Sequence, residues 1–275
     1  MNIGVSSYSF SKYRAETGCS YFDICDKAKE IGFDGIEFID FETEDPILLA
    51  KELRAHCENI GIQIIAYTVG ANLLKDDIAD ELQRCFGCID ICEALGAKLL
   101  RHDVCFSLPE GCTWEDAVDR MTPHIRTITE YAKTKGIKTC TENHGHIFQA
   151  PERVEKLIKT VNHENYGWLC DIGNFLCVDV DPLEAVKVAS NYAFHVHAKD
   201  FHYLKNADRP DGYFPTSGGN WLCGTILGRG VVPLEKSISI LKQNRYNGWF
   251  SLEFEGSEDC LTAIKEGFLF LKNIL

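Results

Sequence analysis

No apolar stretch in the 275-residue chain approaches the roughly 20 residues that span a bilayer, and the opening Met-Asn-Ile-Gly-Val-Ser-Ser-Tyr has neither a basic segment nor a long apolar one. A membrane partner and a secretory leader are therefore not expected, and a soluble, cytoplasmic protein is. There is also no Pro/Ser-rich linker or low-complexity tract, so a single domain over residues 1–275 is expected. Positive charge is scarce: 28 Lys and Arg stand against 41 Asp and Glu, a formal net charge of −13. Nucleic-acid binding draws most of its affinity from cations that neutralise phosphates, so no nucleic-acid partner is expected. Small-molecule chemistry is favoured.

Cysteine, by contrast, is plentiful. The thirteen thiols are odd in number and sit mostly in apolar runs, as in Leu-Cys-Asp (169–171) and Thr-Cys-Thr (139–141), which suits reduced, buried side chains. Cys85-Phe-Gly-Cys88 has redox or zinc spacing, but it lies mid-helix with Cys92 one turn on and no second ligand pair nearby. Helix packing explains it better.

Short apolar strands alternate with amphipathic helices along the whole chain. Strands are expected at 3–9, 35–39, 63–69, 98–104, 138–143, 167–172, 194–200 and 249–255. Helices are expected at 20–31, 45–60, 76–95, 114–135, 151–161, 182–190, 233–244 and 258–273. Gly32, Gly61, Gly96 and Gly136 follow helical patterns and precede strands, as left-handed C-caps do, and Asn247-Gly248 is expected to play that part before the last strand. Pro46, Pro151, Pro182 and Pro233 fall at helix starts. Eight strand-helix units whose strands have no wet face predict a single-domain α/β fold, a (β/α)₈ TIM barrel. An open doubly wound sheet is weakened by the lack of Gly-x-Gly-x-x-Gly after the first strand. The connection 201–232 is far longer than usual and glycine-rich, and is read as an active-site lid.

Active sites of such barrels lie at the C-terminal ends of the strands. Four polar residues stand there among apolar neighbours: Glu142, Asp171, His197 and Glu253. Three ionised carboxylates brought together repel, and a dication removes the repulsion. Three oxygens and an imidazole suit one divalent metal ion, Mn²⁺, Mg²⁺, Co²⁺ or Zn²⁺, with Mn²⁺ favoured. Four structural residues paired with rim lysines are the bland alternative, disfavoured because few Lys or Arg lie nearby in sequence.

The motifs Gly35-Ile-Glu-Phe, Glu142-Asn-His-Gly, Asp171-Ile-Gly-Asn, His195-Val-His-Ala-Lys-Asp, Gly228-Arg-Gly-Val-Val-Pro and Tyr246-Asn-Gly-Trp-Phe-Ser-Leu-Glu-Phe-Glu-Gly give the chain its resemblance to a known family. It resembles the sugar phosphate isomerase/epimerase group of xylose isomerase-like barrels (the AP endonuclease family 2 group), which also holds endonuclease IV, inosose dehydratase and the tagatose 3-epimerases. The resemblance implies that Glu142, Asp171, His197 and Glu253 bind the metal and that Glu142 and Glu253 also exchange protons with opposite faces of a sugar. A metal chelating a carbonyl and a neighbouring hydroxyl acidifies the C–H between them by stabilising the enediolate. Glu142 and Glu253 then serve as catalytic base and acid. The substrate clamp of tagatose-type epimerases, a Glu, a His and an Arg, is replaced here by Phe148, Asn174 and Tyr203.

The substrate-binding candidates are His144, Lys199, His102, Glu37, Asn174 and Trp221. Lys199 could neutralise an enediolate, or bridge to Glu253 or Asp171. His144 and His102 could hold substrate hydroxyls, or be solvated loop histidines. Glu37 could reach the sugar, or make a structural hydrogen bond. His195, one step deeper than His197, is read as a hydrogen-bonded supporting histidine. Trp221, Tyr213 and Phe214 could cap a sugar ring or anchor the lid.

The leading reading is thus a metal-dependent isomerase or epimerase acting on a monosaccharide, sugar phosphate or keto-sugar, with a small carbohydrate as partner and a homo-oligomer compatible with the sequence. A lyase or dehydratase of inosose or 3-oxo-glycoside type uses the same enolisation. A phosphodiesterase is disfavoured by the few histidines and the acidic surface, and a non-enzymatic sugar-binding module predicts binding that survives chelation.

Overall fold

The computed structural model describes residues 2–205, 208–209 and 211–275. In chain order, β1 (Ile3–Ser6) leads through a 3₁₀ turn, α1 (Ser11–Thr17) and α2 (Tyr21–Ile31) to β2 (Gly35–Ile39) and α3 (Pro46–Ile60). Then come β3 (Gln63–Val69), α4 (Ile78–Leu95), β4 (Leu99–His102), α5 (Trp114–Thr134), β5 (Lys138–Glu142) and α6 (Pro151–Val161). β6 (Tyr166–Asp171), α7 (Pro182–Ala189) and β7 (Ala193–Ala198) follow. The long connection holds β8 (Asp200–Leu204), β9 (Phe214–Pro215) and β10 (Trp221–Thr225), and α8 (Leu234–Gln243), β11 (Phe250–Leu252) and α9 (Cys260–Ile274) end the chain.

The eight strands β1, β2, β3, β4, β5, β6, β7 and β11 close into one parallel barrel in sequence order, with β11 between β7 and β1. The expected (β/α)₈ barrel is what the chain forms. Its helices are cut from the sequence as amphipathicity dictates. In α5, Val118, Met121, Ile125, Ile128 and Ala132 recur at three- and four-residue steps and are all fully buried. Each large member contributes roughly 1.5–3 kcal/mol by leaving water. Thr113 and Asp116 close a capping box at the start of this helix. Gly32, Gly61, Gly96 and Gly136 have the left-handed φ expected of them, whereas before β11 that conformation belongs to Arg245 (φ 66°) rather than to Asn247-Gly248.

The barrel interior has its own small core of Ile65, Ala66, Leu99, Cys140 and Leu169, with Phe194 and Trp249 against it. Register shifts opposite Ile36/Glu37 and Trp168/Leu169 mark bulges at Ile65 and Phe194, and both extra residues join this floor. Phe194 lies across Gly167, where an added Cβ would come within 2.6 Å of the ring, so glycine is required there.

The stretch 201–232 is ordered into a ribbon: β8, β9 and β10 form an antiparallel sheet, with Asn206, Ala207 and Pro210 outside the described residues. Two carboxylates pin it. Asp179 accepts from Tyr203 Oη at 2.7 Å, Gly218 N at 2.7 Å and Asn220 Nδ2 at 2.8 Å. Buried Asp200 accepts from the backbone N–H groups of Phe201, Gly228, Gly230 and Val232 at 2.9–3.0 Å. All thirteen cysteines are free, and Cys85, Cys88 and Cys92 pack inward from α4.

Candidate functional site

Strand alternation brings the expected quartet together. Glu142 ends β5, Asp171 ends β6 beside His197 of β7, and Glu253 follows β11. One donor atom from each of the four lies within 4.8 Å of the others. His197 Nδ1 is 3.8 Å from Glu142 Oε1, 3.9 Å from Asp171 Oδ2 and 3.6 Å from Glu253 Oε2. Asp171 Oδ2 and His197 Nδ1 are buried and have no hydrogen-bond partner. Buried polar atoms left alone are costly, and two such atoms facing one space between carboxylates fit a metal site.

Below the quartet, Glu37 on β2 explains how His197 is held. Its Oε1 is 2.6 Å from His197 Nε2 and its Oε2 is 2.7 Å from His195 Nε2, with Ser251 Oγ at 3.2 Å. Engaging Nε2 of His197 leaves Nδ1 as the ligand atom, the carboxylate-histidine arrangement that orients metal ligands. Glu37 is fully buried beneath the site and does not face the mouth, so its candidacy for touching a sugar is corrected to one of support. Burial opposes its ionisation, but the two imidazoles overcome this and hold it well below the usual carboxylate range. A Glu37→Gln variant is expected to fold and to bind metal about 10–100-fold more weakly, measured by competition with a chelator.

Two cations meet the quartet: Arg101, which the sequence reading did not place there, and Lys199, which it did. Arg101 on β4 contacts Glu142 Oε2 at 2.8 Å and Asp103 Oδ1 at 2.9 Å. Lys199 contacts Glu253 Oε2 at 2.6 Å, Glu255 Oε2 at 3.2 Å and Asp171 Oδ2 at 3.5 Å. Lys199 therefore makes the bridges that were its alternative role. Desolvation disfavours its charge, yet the surrounding carboxylates dominate and keep it protonated well above the ordinary range.

Asn174 also lies in the site: it donates to Glu142 Oε1 at 2.9 Å, and its Oδ1 is 3.4 Å from Lys199 Nζ. His144 stands at the rim with Nδ1 3.1 Å from Asp103 Oδ1. Burial works against its protonated form, but the Asp103 hydrogen bond helps raise its pKa above the ordinary value.

His102 requires correction. It shares the outward phase of β4 while Arg101 takes the inward one; it is fully buried, its ring is 6.0 Å from that of Tyr166, and its Nδ1 is 2.8 Å from Asp103 O. Desolvation pushes it down to about 4, which suits a neutral packed histidine. Arg101 was detectable in the sequence: it has the parity of the inward-facing Leu99.

Trp221 is likewise displaced from the mouth, in the ribbon opposite Leu204 and Pro215. The aromatic residues that reach the mouth from the ribbon are Phe201 and Phe214. At the former clamp positions, Phe148 is buried in the core and Tyr203 is bonded to Asp179.

Two adjoining cavities of about 200 Å³ each open over the quartet and share His144, Lys199 and Glu255. One reaches Arg101, Glu142 and Glu253, and the other runs under Phe201 and Phe214.

Among curated proteins, the chain is similar to an inosose dehydratase of Clostridium perfringens (strain 13 / Type A), with 29% identity over 126 residues covering 45% of this chain. That match spans less than half of the relative's length, 42%. Two solved structures share the fold. The IOLI protein with a bound zinc atom superimposes with a TM-score of 0.78 at 18% identity, covering 100% of this chain and 98% of its own. D-psicose 3-epimerase with D-tagatose, from Clostridium cellulolyticum H10, gives 0.77 at 17% identity, covering 100% of this chain and 99% of its own. The family model described as xylose isomerase-like TIM barrel matches residues 25–274, from α2 to the end of α9, and the chain belongs to that family.

Proposed function

We propose that the chain is a divalent-metal-dependent enzyme that moves a proton on the carbon beside the carbonyl of a monosaccharide, sugar phosphate or related keto-sugar, as an isomerase or epimerase. The observation that carries this reading is the pair Glu142 and Glu253, which flank His197 from strands on either side and border one mouth cavity together. A divalent cation held by Glu142, Asp171, His197 and Glu253, with Mn²⁺ favoured and Zn²⁺, Mg²⁺ or Co²⁺ as alternatives, would act as a Lewis acid on a carbonyl and its neighbouring hydroxyl.

The protein's own groups divide the remaining work. Glu142, oriented by Arg101 and Asn174, takes the proton from one face of the substrate, and Glu253 serves the other face. Lys199 stays protonated and balances negative charge growing on the substrate oxygen. Phe201 and Phe214 of the ribbon exclude water from one side of the mouth.

A second reading, dehydration of an inosose-like polyol, is favoured by the name of the curated relative. It uses the same first proton transfer, with His144 placed to protonate a departing hydroxyl.

Incubation with candidate keto-sugars and inososes in D₂O, with Mn²⁺ supplied, tests both. Deuterium uptake with the carbon skeleton and all hydroxyls retained supports isomerisation; loss of water supports the second reading. Neither outcome with any polyol ketone would overturn the proposal.

Metal binding also has an expected pH dependence. Burial, reinforced by Glu142 and Glu253 against the pull of Lys199, pushes the Asp171 carboxyl up to about 7. His197, despite its own desolvation, is raised well above its ordinary value by Glu37 and Glu253. Both must lose a proton to become ligands, so metal affinity should climb as pH rises from 5 through 7, with protons released on binding. Calorimetry in buffers of different ionisation enthalpy reads this directly; affinity flat across that range would contradict it. The stability of the metal-free protein runs the other way. A carboxyl with a raised folded pKa binds more protons folded than unfolded, so Asp171 favours folding at low pH, and that contribution is lost as pH climbs from about 4 to about 7.

A further inference from the structure

A second cavity lies at the opposite end of the barrel from the quartet. It measures about 550 Å³ and opens at the N-terminal ends of the strands, bounded by the starts of β3, β4, β5 and β7 and by the turn before β11. That volume lies within the range of small-molecule sites. Its base is the apolar floor, with Ile65, Leu99, Phe194 and Trp249 exposed to it, and amides of Gln63, Asn191, Asn244 and Asn247 stand around the wall.

Three cations border this space: Lys98, Lys138 and Arg245. Among the described residues, none has a carboxylate within 4.0 Å. All three are exposed at the cavity's edge, in a chain where acidic residues outnumber basic ones by 41 to 28. Lys98 and Lys138 are brought together by the register that sets Leu99 opposite Lys138, and Lys138 Nζ lies 4.5 Å from the centre of the Phe194 ring. Arg245 is held at φ 66°, a conformation that costs a non-glycine residue of order 1 kcal/mol or more. The side chain kept in that strained place is one that binds phosphate.

We propose that this cavity is a second binding site, for a phosphate monoester carried on a small polar body of sugar size. The phosphate is met by Lys98, Lys138 and Arg245, the apolar floor takes one face of the ligand, and Gln63 and Asn247 meet its hydroxyls. Asn191 and Asn244 are bonded to each other and to Lys187, Val188 and Ser190. Lysine and arginine without competing carboxylates are the usual recognition set for such a dianion, and aromatic floors are common beneath sugar rings. The floor separates this space from the metal quartet, so the site requires neither the metal nor Glu142 and Glu253.

Titration calorimetry at low ionic strength with glucose 6-phosphate, and separately with inorganic phosphate and glucose, tests the assignment on the full chain. Saturable binding of glucose 6-phosphate is expected, tighter than that of either fragment and weakened by salt. It should survive chelation of the metal and the substitution Glu253→Gln. The double variant Lys98→Ala/Lys138→Ala is expected to lose about tenfold or more in affinity, while Lys236→Ala/Lys265→Ala, which removes the same charge elsewhere, changes it little. Arg245→Gly relieves the backbone strain, so it should raise thermal stability or leave it unchanged while weakening binding. No saturable binding, equal loss in both double variants, or binding abolished by Glu253→Gln overturns the proposal.

Discussion

Changing Glu142 or Glu253 to Gln should lower turnover by about 10²–10⁴-fold, the range expected when a positioned proton-transfer group is removed. The amide keeps an oxygen for the metal, and the shape is the same, so the fold and much of the metal affinity should remain. The two variants should differ in detail. Glu142→Gln leaves Arg101 paired with Asp103 alone, and Glu253→Gln leaves Lys199 with Glu255 and Asp171. Solvent-deuterium exchange into a bound keto-sugar, followed by NMR, measures each half of the proton traffic, and metal analysis on the same samples separates lost chemistry from lost ligand. Exchange at near wild-type rate in both variants would remove these glutamates from the mechanism. Stoichiometric metal retained by the triple variant Glu142→Gln/Asp171→Asn/His197→Ala would remove the metal centre.

The second large effect is expected far from any chemistry. Asp200→Ala deprives four backbone N–H groups of their acceptor. An unsatisfied buried donor costs about 1–3 kcal/mol, and water entering the space left by the carboxylate recovers part of that. A net loss of roughly 3–5 kcal/mol is expected, and a midpoint lower by about 10 °C for a chain of this length. Asp200→Asn, which keeps one acceptor oxygen, should fall between. Amide exchange should quicken first at residues 228–232. A variant that melts within a degree or two of the parent would show that the ribbon is held by something else.

How far the sequence reaches depends on which force places each residue. All eight barrel strands and their helices follow from apolar periodicity and glycine or proline punctuation, because burial and capping act locally. The quartet follows too, since strand ends and alternation place Glu142, Asp171, His197 and Glu253. What escapes is set by long-range pairing. Arg101 and His102 are neighbours, and the phase of β4 decides which faces inward; parity with Leu99 offers one clue to that phase, but pairing with β3 and β5 on either side fixes it. The scarcity of cations near the quartet in sequence proved a poor guide, because Arg101 reaches Glu142 from the neighbouring strand. The bulges at Ile65 and Phe194 were equally invisible, since each depends on the neighbouring strand, and the left-handed position that ends α8 fell on Arg245 rather than on a glycine. The ribbon carries no helical or strand signal strong enough to read through its glycines, and its order comes from Asp179 and Asp200.

The apolar floor of Ile65, Leu99, Leu169, Phe194 and Trp249 makes the upper half of the barrel a blind chamber. A molecule reaching the carboxylates must enter and leave on the side of the two mouth cavities, past Tyr8, His144 and Glu255 or under Phe201 and Phe214. Under the proposed function, product therefore occupies the route of the next substrate and competes with it directly. A proton lifted from the substrate likewise reaches bulk water on that side alone, and while the mouth is filled it is shielded from exchange and can return to the same molecule.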